Sequence, residues 1–214
     1  SDFLSRMSHD MRTPLNGIIG LMDICMKHPE DRTLVDSSRL KARVAADHLL
    51  SLINDTLEMS KLENEETKIS KEDFYLPDLL HEVETIAQMR ADKECITIHF
   101  MDDPYSIPYP NLTGSSLRVK QIFLNLITNS IKYNRKNGSV DCFLKEEKQS
   151  DNRVLLDVTI KDTGIGMSED FLKNIFQPFV QADQGARSHY KGTGLGMAIV
   201  KELLDRMDGT IQID

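Results

Sequence analysis

The sequence contains few cysteines and fewer basic than acidic residues. Its three cysteines, Cys25, Cys95 and Cys142, are far apart in a chain of 214 residues and form no CxxC pair. They are expected to be buried thiols of a reducing compartment, because an odd number of scattered cysteines does not suit a disulfide framework or a zinc site. Asp and Glu outnumber Lys and Arg by 34 to 26, which gives a net charge of −8. This imbalance argues against nucleic acid as a partner, because phosphate backbones are held mainly by Lys and Arg.

Long apolar runs are also absent. No stretch reaches the length of a transmembrane helix, and the first residues lack the pattern of a signal peptide. We therefore expect this chain to make no direct membrane contact. The balance of 40% hydrophobic and 28% charged residues is typical of a globular protein. The last residues, 209–214, have the pattern of a strand with no partner after it, so we expect the chain to be a fragment of a longer protein.

The first third of the chain has the pattern of two helices packed along their length. A polar break at residues 28–31 separates two runs in which apolar residues recur at spacings of three and four, as in a bundle or coiled coil. The first helix carries a further apolar row, Leu15, Ile19, Met22 and Met26. A homodimeric four-helix bundle would bury this row, and so would packing against the C-terminal half of the same chain. The main seam consists of Leu4, Met7, Met11, Pro14, Ile18, Leu21 and Cys25, followed by Val35, Ser38, Ala42, Ala45, Leu49, Leu52, Thr56 and Met59.

The rest of the chain mixes helical and strand periods. Residues 62–68 are polar and predict a linker. The pattern beyond them predicts an α+β sandwich, with one mixed sheet under a layer of helices. The predicted helices lie at about 77–93, 117–133 and 195–207, and the predicted strands lie at about 96–100, 140–144 and 154–160.

The segment Ser8–Leu15 is the first candidate for chemistry. His9 lies off the apolar seam, so its imidazole is expected to face solvent. The neighbouring Asp10 could hold one ring nitrogen as N–H and leave the other free as a nucleophile or base. Pro14 lacks the amide that would bond the carbonyl of Asp10, which loosens the turn after the histidine. The alternative, a surface histidine beside a surface aspartate, is favoured for this segment taken alone.

A second candidate is a stripe on the helix predicted at 117–133. Asn125, Asn129, Lys132 and Tyr133 stand at i, i+4, i+7 and i+8, on one side of that helix. Amide oxygens can bind a hard cation, an ammonium can contact phosphate, and an aromatic ring can pack on a planar base. The alternative is a solvated face, but such faces more often carry Glu and Lys than paired Asn.

Two glycine-rich segments complete the set. Residues 162–167 follow an alternating strand, and the glycines there allow a sharp turn close to a ligand, although a plain strand-ending turn fits equally well. Residues 192–197 open the last helix, where backbone amides form an anion site. A dinucleotide-binding fold fits poorly, because GxGxxG would need glycine at Met197 and no predicted strand leads into the segment. The Walker pattern also fails, because no GK[ST] follows.

In this order and spacing, the segments resemble the sensor histidine kinases of two-component signalling. Five ordered motifs that span nearly the whole chain are far more specific than any one of them. Residues 8–15 resemble the phosphoacceptor box, 125–133 the N box, 162–167 the first glycine box, 176–179 the F box, 192–196 the second glycine box, and 48–55 part of the second dimerisation helix.

The resemblance implies two domains and a phosphotransfer reaction. Residues 1–66 would form a dimerisation and phosphotransfer hairpin, and residues 67–214 a Bergerat-type ATP-binding domain. His9 would attack the γ-phosphate of ATP, while Asp10 orients or deprotonates its imidazole. The phosphoryl group would then pass to an aspartate on a response-regulator receiver domain. Thr13 matches the position linked in this family to dephosphorylation of that regulator, and the family pattern suggests a cytoplasmic catalytic core.

The resemblance also implies a ligand set of ATP and Mg²⁺. Asn129 would coordinate Mg²⁺ with Asn125 close by, Lys132 would contact phosphate, Tyr133 the nucleoside, and Asp162 the adenine amine. Residues from about 167 to 193 would form a mobile lid. The remaining residues implied in nucleotide binding are Gly164, Gly166, Arg187, Lys191, Gly192, Thr193, Gly194, Leu195 and Gly196.

Two other functions share the same ATP-binding fold. One is an ATPase that drives conformational clamping, as in type II topoisomerases and heat-shock chaperones. Those proteins carry Glu at the position of Asn125 to activate water, and a neutral amide is a poor base. The other is a module that dimerises and binds nucleotide without catalysis, against which the intact motifs argue. Asp10 departs from the family pattern, where Glu is common at this position.

Overall fold

The computed structural model describes residues 2–63, 70–100, 107–181 and 193–214. These residues form two compact units. The first contains residues 2–63, 175–181 and 193–199, and the second contains the described residues of 70–174 together with 200–214. The domain boundary predicted between residues 66 and 67 lies outside the described residues. So does most of the predicted linker, whereas Leu62 and Glu63 belong to a helix.

Two long helices form the hairpin of the first unit. Helix α1 spans Asp2–Lys27 and continues through Pro14, and helix α2 spans Arg32–Glu63. The predicted polar break between them is confirmed. Helix α2 begins here because the Asp31 carboxylate accepts a hydrogen bond from the Leu34 amide at 2.9 Å, which satisfies one of the free amides at the helix start.

The predicted seam joins the two helices. On α1 it is half-buried at Met7, Met11, Pro14, Ile18, Leu21 and Cys25, and on α2 it is buried or half-buried at all eight predicted positions. The side chain of Leu4 lies outside the described residues. The second row of α1 stays open, with Leu15, Ile19, Met22 and Met26 between 47% and 69% exposed.

A three-stranded mixed sheet and two helices build the second unit. Strand β2 (Thr97–Phe100) is parallel to β4 (Ser139–Lys148), and β4 is antiparallel to β5 (Val154–Asp162). Helices α3 (Leu76–Glu94) and α4 (Ser116–Lys132) pack on each other and on this sheet, which confirms the predicted mixed sheet under a helical layer. The core includes Val83 and Ala87 of α3, Ile122 and Ile127 of α4, and Val140 and Cys142 of β4.

The strands of the structure differ from the prediction in two places. A separate two-stranded antiparallel sheet, formed by β1 (Glu72–Tyr75) and β3 (Asn111–Gly114), was not predicted. Conversely, residues 209–214 were expected to form a strand, and the structure assigns none there. A strand requires hydrogen bonds to a neighbour, and no neighbouring strand among the described residues pairs with this segment.

The remaining elements are short or lie near the end of the chain. Helix α5 spans Glu169–Leu172, and α6 spans Gly196–Arg206 with Ile199 and Leu203 almost fully buried. Within the described ranges no helix combines the length and apolarity that crossing a bilayer requires.

None of the three cysteines, all of which lie in described parts of the chain, forms a disulfide, and their environments differ. Cys142 is buried and Cys25 is half-buried, but Cys95 is exposed, so the expectation of three buried thiols is wrong for Cys95. This residue ends α3 in a left-handed conformation with φ 56°, and its backbone amide bonds carbonyls of the last helical turn. Its position at a helix end, where the chain turns toward β2, explains its exposure.

Candidate active site

His9 is open to solvent and held by one neighbour. Its side chain is 78% exposed, and its Nδ1 lies 3.1 Å from Oδ1 of Asp10. A neutral imidazole whose Nδ1 carries the proton toward this carboxylate presents the lone pair of Nε2 outward. The predicted orientation of His9 is confirmed, and the pair can serve as a nucleophile or a base.

In the turn after His9, a side-chain hydroxyl forms a hydrogen bond to a backbone carbonyl. The hydroxyl of Thr13 donates to the carbonyl oxygen of His9 at 3.3 Å. Pro14 has no amide proton to donate toward the carbonyl of Asp10, although α1 continues through it. Thr13 therefore lies one helical turn from His9, on the same side of α1.

The predicted stripe of α4 is formed in the second unit. Asn125, Asn129 and Lys132 are half-buried, while Tyr133 follows the last helical residue and is 38% exposed. Among the residues that the structure describes, the side-chain amides of Asn125 and Asn129 make no hydrogen bond to protein. Their oxygens are therefore available to a ligand. The apolar face of the same helix is buried through Val119, Ile122, Phe123, Ile127 and Ile131.

Lys132 and Tyr133 contact each other at the end of α4. The Lys132 ammonium donates to the Tyr133 hydroxyl at 3.1 Å and lies 4.7 Å from the centre of the tyrosine ring. A cation over an aromatic face is stabilised by the ring, and a positive charge is favourable at the C-terminal end of a helix. This end of α4 therefore presents a cation and an aromatic surface together.

The first glycine-rich turn is attached to this end of α4. Asp162 is the last residue of β5, and its Oδ1 accepts the Gly164 amide at 2.9 Å. The Ile165 amide donates to the carbonyl of Tyr133 at 3.1 Å. The structure thus brings together two predicted site residues, Tyr133 and Asp162. The other carboxylate oxygen of Asp162, an exposed residue, can accept a hydrogen bond from a ligand amine.

Glycine is required where these segments approach each other. A Cβ at Gly164 would lie 2.7 Å from the carbonyl oxygen of Tyr133. A Cβ at Gly138 would lie 2.2 Å from Oδ1 of Asn134 and 2.5 Å from Oγ1 of Thr163. Sequence reasoning included Thr163 in the candidate segment 162–167 without assigning it a role, and it missed Asn134 and Gly138 as parts of the site. The available signal was the turn-forming segment 134–138, which directly follows the stripe.

The second glycine-rich turn lies in the first unit. Gly194 has φ 70°, and its carbonyl accepts the amide of Phe179 at 3.0 Å. Thr193 and Leu195 are buried, and Gly196 begins α6, so the predicted loop at a helix start is confirmed. The predicted site residues Arg187, Lys191 and Gly192, and residues 182–192 of the predicted lid, lie outside the described residues.

The Thr193 hydroxyl makes two contacts within this unit. It accepts the Leu195 amide at 3.2 Å, and it bonds the carboxylate of Asp55 on α2. Burial raises the pKa of the Asp55 carboxyl above its usual value, and the bond from Thr193 lowers the pKa by a smaller amount. Asp55 was not predicted, because nothing in the local pattern of α2 indicates a partner so far along the chain.

The available donor set fits a hard cation bound together with a phosphate ligand. The described residues contain no group of three or more His, Cys, Asp or Glu that could hold a metal ion by themselves. Asn125 and Asn129 offer neutral amide oxygens. Mg²⁺ accepts such oxygens when phosphate oxygens and waters complete its coordination.

Two protein-family models match the chain. Residues 1–65 match the His Kinase A (phospho-acceptor) domain, and residues 114–214 match the histidine kinase-, DNA gyrase B-, and HSP90-like ATPase domain. The first match covers the hairpin with His9, and the second covers the α4 stripe and both glycine-rich turns.

Whole-chain similarity gives the same result. The sensor histidine kinase GacS of Pseudomonas protegens is 38% identical over 217 residues, which cover 100% of this chain and 23% of GacS. The crystal structure of full-length ShkA in complex with AMPPNP is 31% identical with a TM-score of 0.65, covering 96% of this chain and 41% of ShkA. The structure of the histidine kinase ThkA in complex with the response regulator protein TrrA has a TM-score of 0.66 at 20% identity, covers 85% of this chain and 51% of that one, and shows the shared fold.

These relatives are much longer than the chain. It spans about a quarter of the length of the curated relatives it matches, with 23% and 24% of the first two. The phospho-acceptor model also separates it from gyrase-like and chaperone-like ATPases, which share only the second domain. With an open histidine on the hairpin and an ATPase domain after it, the chain belongs to the sensor histidine kinases of two-component systems.

Proposed function

We propose that the chain is an ATP-dependent histidine autokinase that phosphorylates His9 and passes the phosphoryl group to an aspartate of a response-regulator receiver domain. The observation that carries the proposal is the geometry of His9. Its Nδ1 is engaged by Asp10 at 3.1 Å, and its Nε2 is open in a side chain that is 78% exposed. A nucleophile with this orientation, in a chain with an ATPase domain, suits phosphoryl transfer better than hydrolysis.

The first step forms one bond and breaks one. The lone pair of His9 Nε2 forms a nitrogen–phosphorus bond with the γ-phosphorus as the bond to the bridging oxygen breaks, and ADP leaves with that electron pair. The ring gains positive charge as the new bond forms. Asp10, on the Nδ1 side, stabilises this charge and can accept the Nδ1 proton. Catalysis of this kind depends mainly on positioning and charge stabilisation.

Binding of the nucleotide is assigned to the predicted site residues. Asn129 and Asn125 would hold Mg²⁺, which would supply charge neutralisation at the phosphates. Lys132 would contact phosphate, Tyr133 the nucleoside and Asp162 the adenine amine. Backbone amides of Thr193, Gly194 and Gly196 would also face phosphate, while the Leu195 amide holds the loop by donating to the Thr193 hydroxyl. Gly164 and Gly166 would shape the adenine end of the site, and Arg187, Lys191 and Gly192 remain predictions.

The open apolar row of α1 supports a homodimer. Leu15, Ile19, Met22 and Met26 are joined on α2 by Leu50, Ile53 and Leu57, which are between 36% and 58% exposed. A second hairpin would bury these rows in a four-helix bundle. Ile19→Glu is expected to shift sedimentation toward monomer, because it places a charge in that interface. Asn16→Glu, at an exposed polar position on the same helix, is the control, and equal sedimentation of the two variants would contradict the dimer.

The partner and the location follow from the same chemistry. The histidine kinase ThkA, which shares this fold, forms a complex with the response regulator protein TrrA, and this supports a partner of the same kind for this chain. Thr13 is assigned a role in dephosphorylating that regulator, since it lies one helical turn from His9. Because the reaction consumes ATP, the chain is assigned to the cytoplasm.

Incubation with γ-labelled ATP tests the kinase function. We expect an acid-labile label on the wild-type protein and on His28→Gln, which alters an exposed histidine just beyond the same helix. The label should be lost in His9→Gln. Steady phosphate release that survives His9→Gln, without label on the protein, would instead establish an ATPase. Nucleotide binding with neither label nor phosphate release would establish a silent binding module.

A further inference from the structure

Three residues to which the sequence pattern assigned no role form a closed hydrogen-bond network between the end of α4 and the first glycine-rich turn. They are Asn134, Ser139 and Thr163. The Thr163 hydroxyl donates to Oδ1 of Asn134 at 3.0 Å and accepts the Ser139 amide at 2.9 Å. The Asn134 Nδ2 donates to the Ser139 carbonyl at 2.8 Å, and the Thr163 amide donates to the same carbonyl at 3.1 Å.

The orientation of the Asn134 amide is determined by its partners. Its oxygen faces two donors, the Thr163 hydroxyl and the Arg135 amide at 2.8 Å, while its nitrogen faces a carbonyl. Reversing the amide would place donors against donors. Gly138 leaves the room for this arrangement, because any Cβ there would overlap both Asn134 and Thr163.

The network connects two residues that the proposed function assigns to the nucleoside. Asn134 directly follows Tyr133, and Thr163 directly follows Asp162. A backbone bond, from the Ile165 amide to the Tyr133 carbonyl at 3.1 Å, runs in parallel with the side-chain bonds. The backbone segments that carry the Tyr133 ring and the Asp162 carboxylate are therefore joined by side-chain and backbone hydrogen bonds.

We infer that Asn134 and Thr163 are positioning residues that hold the Asp162 carboxylate where it selects a purine with a 6-amino group. This inference rests on the proposed binding of the adenine amine by Asp162. Neither side chain needs to touch the nucleotide. Their effect is to prevent the turn from shifting, because a carboxylate that moves by a fraction of an ångström makes a poorer hydrogen bond to the amine.

The test compares ADP with IDP, whose base carries an oxo group in place of the 6-amino group. Dissociation constants would be measured by calorimetry on the full chain with Mg²⁺. Thr163→Val, which replaces the hydroxyl with a methyl group of similar size, is expected to weaken ADP binding about tenfold, the effect of losing roughly one hydrogen bond. Binding of IDP should stay unchanged, so the preference for ADP should fall. Thr163→Ser, which keeps the hydroxyl, should retain the preference.

Two further variants separate positioning from general destabilisation. Thr159→Val alters an exposed threonine on the same strand β5 and should behave as wild type. Asn134→Ala removes the other partner and should reduce the preference as Thr163→Val does. If Thr163→Val and Asn134→Ala weaken ADP and IDP equally, or keep the wild-type preference, the inference is overturned. Melting temperatures of all variants confirm that each is folded.

Asp162→Ala distinguishes this inference from the proposed function. If Asp162→Ala abolishes the preference for ADP while Thr163→Val does not, the positioning role fails and the adenine assignment stands. If wild type shows no preference, or if Asp162→Ala retains it, the adenine assignment itself is wrong.

Discussion

The two glycine-rich turns contain the same Thr-Gly pair but use it differently. In the first turn one glycine lies close to another backbone segment, and a different glycine has the positive φ angle. Gly164 lies against the Tyr133 carbonyl, where a Cβ would be 2.7 Å away, while Gly166 has φ 72° and nothing within 4 Å of its would-be Cβ. In the second turn Gly194 meets both demands, with φ 70° and a would-be Cβ 2.9 Å from two backbone atoms of Phe179.

The threonines differ in the charge of their partners. Thr163 bonds the neutral amide of Asn134, whereas Thr193 bonds the carboxylate of Asp55. A short motif therefore specifies a turn without specifying what the turn contacts. Substitutions at these positions separate conformational, steric and electrostatic contributions.

The largest effect is expected for Gly194→Ala. The left-handed conformation costs an alanine about 1–2 kcal/mol, and the added methyl group meets backbone atoms that cannot move aside as a side-chain end could. Overpacking of this kind costs about 1–3 kcal/mol more. A lower midpoint of urea unfolding and a loss of autophosphorylation should both follow. An unchanged midpoint would show that the contact with Phe179 is loose.

Gly164→Ala should have a smaller effect, because only the steric cost of about 1–3 kcal/mol applies. The added methyl group would push the turn away from the Tyr133 carbonyl, so weaker ADP binding should accompany the loss of stability. Gly166→Ala is the matched control within the turn, since only the conformational cost of about 1–2 kcal/mol applies there. If Gly166→Ala weakens ADP binding more than Gly164→Ala, the division of roles is wrong.

The smallest expected effect is a pH-dependent change in stability at the second turn, which the first turn should not show. Because burial raises the pKa of Asp55, its ionised form is disfavoured in the folded state. The folded protein then binds the proton more tightly than the unfolded chain, so this group lowers stability as pH rises from its usual value of 3.8 through the raised pKa. Asp55→Asn should therefore raise the melting temperature at neutral pH, and the gain should shrink toward acidic pH.

Asp23→Asn, which alters an exposed aspartate on α1, serves as the control for this experiment. Its melting temperature relative to wild type should not follow the same pH course. If Asp55→Asn raises the melting temperature by the same amount at every pH, ionisation of the Asp55 carboxyl does not destabilise the folded protein, and the prediction is wrong.

Features that depend on local period could be predicted, whereas features that depend on remote partners could not. The seam of α1 and α2 was predictable because each helix repeats its buried positions at its own period. Strand β1 contains one half-buried apolar residue, Phe74, and becomes a strand through pairing with β3 about forty positions away. Residues 209–214 alternate better than β1, but lack such a partner among the described residues.

The same distinction applies to the site. Asn125, Asn129, Lys132 and Tyr133 fall on one stripe by helical spacing alone, so they were found from the sequence. The bonds between Asn134 and Thr163 and between Asp55 and Thr193 join positions separated by 29 and by well over a hundred residues. No window of sequence contains both members of either pair. The family resemblance did not indicate them, because its motifs describe ligand contacts and omit the bonds that hold them.

The openness of His9 has a consequence for the phosphorylated protein. A phosphoryl group on this side chain would keep its charges hydrated, because the described residues leave the His9 side chain 78% exposed. Little hydration would be lost when the group arrives and little regained when it leaves. The transfer potential of the nitrogen–phosphorus bond would then remain available to the next acceptor. The surface around His9 would not choose that acceptor, so the selectivity of the transfer would come from the protein that docks beside the histidine.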